Sequence, residues 1–131
     1  MDTAGLCPCG SGVALDACCA RWHRTQQAPT AEALMRSRYS AYVLRNEPYL
    51  LATWHASTRP GSVDFEAGTK WLGLSVKSAR DTGPDRAEVE FVARYRVAGG
   101  SAVRVHECSR FVREDGRWLY VDGDQRGGNG V

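Results

Sequence analysis

The chain has 131 residues, 43% hydrophobic and 24% charged, with a net charge of +2, which suits one domain with its own core plus a short appendage and excludes two full domains. Its apolar stretches fall well short of the roughly 20 residues that cross a bilayer, so membrane insertion is not expected. The charge is also poorly placed for a polyanion. Residues 1–46 carry +2 and the rest is neutral, so nucleic-acid binding through Arg21, Arg24 and Arg36 is disfavoured.

The Met-Asp-Thr-Ala-Gly start has no basic region followed by an apolar run, and a cytoplasmic location is expected. In that reducing compartment clustered cysteines hold metal more often than they form disulfides. Residues 1–19 contain Cys7-Pro8-Cys9-Gly10-Ser11-Gly12 and then Cys18-Cys19, with too few large apolar groups to fold without a crosslink. Cys-x-Cys presents two thiolates from one tight turn, and the glycines let the backbone reverse so that the second pair completes a tetrahedron. Ser11 is placed to orient a thiolate by hydrogen bonding. Free thiols, a redox pair and an iron–sulfur cluster are competing readings. Four soft ligands within thirteen positions favour one structural Zn2+ on Cys7, Cys9, Cys18 and Cys19, with iron–sulfur second. His23 follows this segment, but four thiolates fill the shell without it.

Arg21 to Pro29 reads as a polar connector. A helix is predicted after Thr30, a good N-cap, with Glu32 in its first turn and Leu34, Met35, Tyr39, Tyr42 and Val43 on one face. Asn46 reads as a second N-cap, followed by Glu47, Pro48 and an apolar side of Leu50, Leu51 and Trp54. From residue 70 the pattern changes to strands at 70–78, 87–97, 102–113 and 117–122. Asp115-Gly116 is a two-residue hairpin signal that sets Val112 opposite Leu119, Phe111 opposite Tyr120 and Ser109 opposite Asp122. A three-residue loop at Gly99-Gly100, with a left-handed glycine, puts Val89, Phe91, Ala93 and Tyr95 on the face of Val105 and Phe111. Glu88, Glu90, Arg94, Arg104 and Arg110 then share the other face. The sum is an α+β fold: helices covering one side of an antiparallel sheet. The Gly-rich end, residues 125–131, is expected to be disordered.

The cysteine spacing resembles the SEC-C motif, a small zinc-binding element also found at the C-terminus of the SecA translocation ATPase. The likeness extends along the chain. Leu34-Met-Arg-Ser-Arg-Tyr39, Thr53-Trp-His55, Trp71-Leu-Gly-Leu74, Phe91-Val-Ala-Arg-Tyr95, Ser109-Arg-Phe111 and Trp118 to Gly123 resemble the YchJ family of bacterial proteins. That resemblance implies a SEC-C zinc element and connector at 1–28 and an NTF2-like (cystatin-like) domain at 29–124, with helices packed on a curved sheet. It implies no activity.

The register puts Glu107 and Ser109 on the otherwise apolar face, together with Asp122, and inward carboxylates need partners. His55, Arg38 or Arg36 are the available ones. His55, Glu107, Ser109 and Asp122 are therefore the candidate pocket residues, either a salt-bridged joint between helix and sheet or a site with His55 as acid or base. Cys108 and His106 fall on the charged face. With a closed metal site and no complete catalytic motif, the expectation is a non-enzymatic adaptor whose zinc element docks on a protein or ribosomal partner. The alternative is a small-molecule-binding protein or enzyme that uses the pocket.

Overall fold

The computed structural model describes residues 6–65 and 67–125, and the expected tail lies outside them except for Gln125, the last residue of a strand. In chain order the elements are a 3-10 turn (Leu15–Ala17), α1 (Cys19–Thr25), α2 (Ala31–Leu44), α3 (Glu47–Ala52), β1 (Thr69–Gly83), β2 (Arg86–Val97), β3 (Val103–Glu114) and β4 (Arg117–Gln125). The strands form one antiparallel sheet in the order β1-β2-β3-β4, so the architecture is α+β as predicted.

Both predicted caps act. Thr30 Oγ1 accepts from Ala33 N at 3.0 Å, and Asn46 Oδ1 accepts from Tyr49 N at 3.2 Å, each answering an amide that the first helical turn leaves without an intrahelical partner. Thr30→Ala is expected to cost about 1 kcal/mol and Thr30→Ser to be nearly neutral. Urea unfolding of the two variants checks this, and equal losses would argue against a capping role.

The connector expected at Arg21–Pro29 is helical as far as Thr25 and irregular beyond it. Helix α1 is short, and what holds it is tertiary: Cys19 is 1% exposed and Trp22 packs on the core. His23 packs against Tyr49 with ring centres 4.6 Å apart and planes tilted by 56°. The helix stops at Gln26, in the left-handed region at φ 58°, whose amide donates to Trp22 O at 2.7 Å.

The Asp115-Gly116 hairpin forms, with both residues at positive φ and Val112 opposite Leu119. The β2–β3 pairing also has the predicted register, with Phe91 opposite Glu107 and Ala93 opposite Val105. Its left-handed residue, however, is Ala98 (φ 53°) rather than a glycine, pinned by a 2.9 Å bond from its amide to Gly68 O. Irregularities interrupt β1 between Trp71 and Gly73, between Val76 and Ser78 and between Asp81 and Gly83. Such bulges sharpen twist and bend the strand, which lets the sheet wrap α2. The core between them contains Leu34, Leu50, Val89 and Phe111, all 2% exposed or less. The free edge of β4 is covered by the segment after α3, where Tyr120 N donates to Thr53 O at 2.8 Å and His55 N to Tyr120 O at 2.7 Å.

Candidate functional site

The cysteine element is a loop folded back on itself and laid against α2. Cys7 N donates to Val13 O at 2.9 Å and Gly10 N to Cys7 O at 3.2 Å. Gly10 and Gly12 take φ of 83° and 81°, the left-handed turns that reverse the chain between the two cysteine pairs. The 3-10 turn then delivers Cys18 and Cys19 at the start of α1. All four sulfurs lie within 4.8 Å of one another, and Cys9 Sγ is 3.7 Å from Cys18 Sγ. A tetrahedron with metal–sulfur bonds of about 2.3 Å has edges of about 3.8 Å, so the spacing fits one ion and is too tight for a multi-iron cluster. Ser11 Oγ, 3.2 Å from Cys18 Sγ, also accepts from Val13 N at 3.2 Å, the orienting contact expected of it.

The site is not a pendant. Cys7, Cys9 and Cys19 are each 5% exposed or less and belong to the main apolar cluster. Cys7 Sγ lies 3.4 Å from Ser40 Oγ, and Arg36 Nη1 donates to Cys9 O at 3.0 Å, so two turns of α2 hold the loop. The thiols compete for charge when no cation balances them. A hydrogen bond from Cys19 holds the Cys9 thiol well below its ordinary pKa, that same bond pushes Cys19 up, and burial pushes Cys18 up. Four thiolates so close together need a cation. His23 stays out of the cluster: its Nε2 donates to Ser37 O at 2.8 Å, and burial lowers its pKa.

A second site lies between α2 and the concave face of the sheet, a cavity of about 220 Å³. Its walls are largely aromatic, with Tyr42, Trp54, Trp71 and Tyr120 among them, and its polar groups include Arg38, Glu107 and Ser109. Ser109 Oγ donates to Glu107 Oε2 at 2.9 Å. Arg38 is 5% exposed, with Nη1 donating to Leu50 O and Thr53 Oγ1, each at 2.8 Å.

Comparison with known proteins fits the fold and the cysteine motif. Residues 30–123 match the family model described as YchJ, middle NTF2-like domain. The chain belongs to the YchJ family. Its relatives include a UPF0225 protein of Xanthomonas campestris, 58% identical over 88% of this chain and 92% of that one. A UPF0225 protein of Cupriavidus metallidurans is 60% identical over 92% of this chain and 89% of that one. The solution structure of a SEC-C motif containing protein from Rhodopseudomonas palustris has a TM-score of 0.81 at 36% identity, covering 92% of this chain and 98% of that one. The chain is thus a YchJ-family SEC-C protein whose four cysteines could hold a metal ion, and among its described residues no helix is long and apolar enough to cross a membrane.

Within this YchJ fold, two of the four expected pocket residues lie elsewhere. Asp122 was expected opposite Ser109. An irregularity beside Val121 shifts the register, so Arg110 pairs with Asp122 and Ser109 with Gly123, and Thr58 Oγ1 takes up the Val121 carbonyl at 2.6 Å. Asp122 therefore sits on the outer face, 2.6 Å from Arg110 Nε. His55 is carried to the sheet edge, where Nε2 is 2.8 Å from Glu114 Oε2 and Nδ1 is 2.7 Å from Ser57 Oγ. Neither it nor Arg36, which pairs with Glu32 at 3.0 Å, balances an inward carboxylate. Gly123 takes the inward place, where a β-carbon would collide with the Glu107 carboxylate and lie 3.2 Å from Cys108 O. A glycine inside a strand pattern is the sequence signal for such a close approach. On the outer face, His106 pairs with Glu90 at 2.6 Å and is half-buried rather than a free surface group, while Cys108 is 4% exposed beneath the charged side chains.

Proposed function

We propose that Cys7, Cys9, Cys18 and Cys19 hold one structural Zn2+ and that the element it braces is a docking surface for a protein or ribosomal partner, with the NTF2-like domain as scaffold. The carrying observation is the pairing of a closed four-thiolate cluster with exposed apolar groups on the same loop. Leu6 is 44% and Val13 43% exposed, beside buried Cys7 and across a single backbone bridge joining Leu6 to Ala14. A soft, borderline ion with no geometric demand of its own suits a tetrahedral sulfur shell, and four protein ligands leave no position for substrate. That is the chemistry of a brace. Cys7, Cys9 and Cys19 are buried while Leu6 and Val13 are exposed, so metal and contact surface are separable by mutation.

The test is crosslinking capture with Leu6→Ser/Val13→Ser, Cys18→Ser/Cys19→Ser and His55→Ala, each checked for folding and zinc content. Partners are expected to be lost from the first two variants and kept by His55→Ala. Equal recovery from Leu6→Ser/Val13→Ser and wild type, with zinc retained, would rule out docking through this loop. Stoichiometric iron in place of zinc would overturn the metal assignment.

A further inference from the structure

The cavity sets a buried cation among aromatic rings, with no carboxylate of the described residues in ion-pair contact with it. Arg38 projects from the middle of α2 to the cavity wall, with its guanidinium carbon 4.9 Å from the Trp54 ring centre and 4.6 Å from that of Tyr120. Nη1 is committed to Leu50 and Thr53. Among the described residues no carboxylate lies within ion-pair distance of Arg38, Nε and Nη2 have no acceptor, and neither atom is fully enclosed, on a residue that lines the cavity. Burial pushes its pKa down to about 10, so the group is still a cation at neutral pH. Ring faces attract a guanidinium, but they do not accept the two parallel hydrogen bonds that Nε and Nη2 offer side by side, the fork that matches a carboxylate.

The rest of the lining narrows the class. Glu107 also lines the cavity, and with Ser109 bonded to Oε2 its Oε1 has no donor among the described residues. A dianion such as phosphate would meet that negative charge, whereas a hydroxyl or amine would be welcomed by it. The volume of about 220 Å³ compares with an apolar cavity of about 150 Å³ that takes benzene in another protein, so one ring with two small substituents fits. We infer that this cavity binds a small planar aromatic monoacid, its carboxylate on Nε and Nη2 of Arg38, its ring among the aromatic walls and a hydroxyl or amino substituent donating to Glu107. This site is independent of the metal and of the docking loop.

The metal-loaded full chain is titrated with 3- and 4-hydroxybenzoate, benzoate and 4-hydroxybenzyl alcohol, followed by 1H–15N NMR and calorimetry. A hydroxybenzoate is expected to saturate with Kd below about 1 mM, moving the Trp54 indole and the amides around Glu107. The uncharged alcohol should bind more weakly by roughly tenfold or more, as should the acid to Arg38→Met. Glu107→Gln should keep benzoate and lose part of the preference for the hydroxylated acid. Absence of saturable shifts at the cavity for every acid overturns the inference, and so does an alcohol that binds as tightly as its acid. Should Arg38→Met fail to fold, the comparison of acid with alcohol in the wild-type protein decides by itself.

Discussion

Stripping the metal with a strong chelator is expected to lower the melting temperature by on the order of 10–20 °C, with Cys19→Ala producing a similar fall. The size follows from where the cysteines sit. Cys9 is 0% and Cys19 1% exposed within the same apolar cluster as Leu34 and Leu50, so removing the ion leaves three buried sulfurs and a loop whose polar ties to α2, among the described residues, are one arginine bond and one contact to Ser40. Binding free energy of a structural zinc is folding free energy. A loss of several kcal/mol in a domain of this size corresponds to a shift of about that range. The pH dependence has a definite sign. Bound thiolates must be deprotonated, so acid competes with the ion, and the stabilisation present at neutral pH is lost as pH falls. Calorimetry with and without chelator, alongside metal analysis, measures the effect. A melting temperature that holds steady after verified removal of the ion would show that α2 orders the loop unaided.

Phe111→Ala should cost about 3–5 kcal/mol, the range for truncating a fully buried aromatic. The ring is 2% exposed, meets Tyr120 edge-on with centres 5.9 Å apart and forms part of the cavity wall. The void left by truncation joins the existing cavity, and the surrounding rings, held by β3, β4 and α2, cannot close over it. Val103→Ala provides the contrast. At 40% exposure it should stay within about 0.5 kcal/mol of wild type. Urea unfolding with an unchanged m-value separates the two. A loss below about 1 kcal/mol for Phe111→Ala would mean that this wall is more plastic than close packing allows.

The outer face of the sheet shows why its charges are compatible with a stable strand array. Arg80 meets Glu88 at 2.7 Å, and Arg110 spans Asp122 at 2.6 Å and Asp124 at 2.7 Å. These pairs are largely exposed and individually weak. Their arrangement across neighbouring strands gives register and solubility more than stability. On that same face Val92 and Cys108 are only 3% and 4% exposed, so a small apolar residue on a charged face ends up buried.

What could be known from the sequence alone was local. Thr30 and Asn46 announce helix starts because a side-chain oxygen two or three residues from an unpaired amide acts without help from the rest of the fold. Asp115-Gly116 announces a hairpin because both positions tolerate positive φ. The cysteine spacing announces a cluster able to hold a metal ion, because four soft ligands within thirteen positions of a segment poor in large apolar groups favour metal over free thiols or a redox pair. Alternation of apolar residues also placed Glu107 and Ser109 on the concave face. Tertiary structure decided the rest. Helix α1 exists because Trp22, His23 and Cys19 pack against neighbours, a contribution invisible in a polar stretch. One unpaired residue, Val121, its carbonyl taken by Thr58 from a distant segment, turned Asp122 outward and brought Gly123 in. His55 left the cavity because its backbone was claimed by the free edge of β4. Arg38 became the cavity's buried cation only when α2, the segment after α3 and the curved sheet closed around it: periodicity reports which face a residue shares, and only the assembled fold determines which charges on that face find a partner.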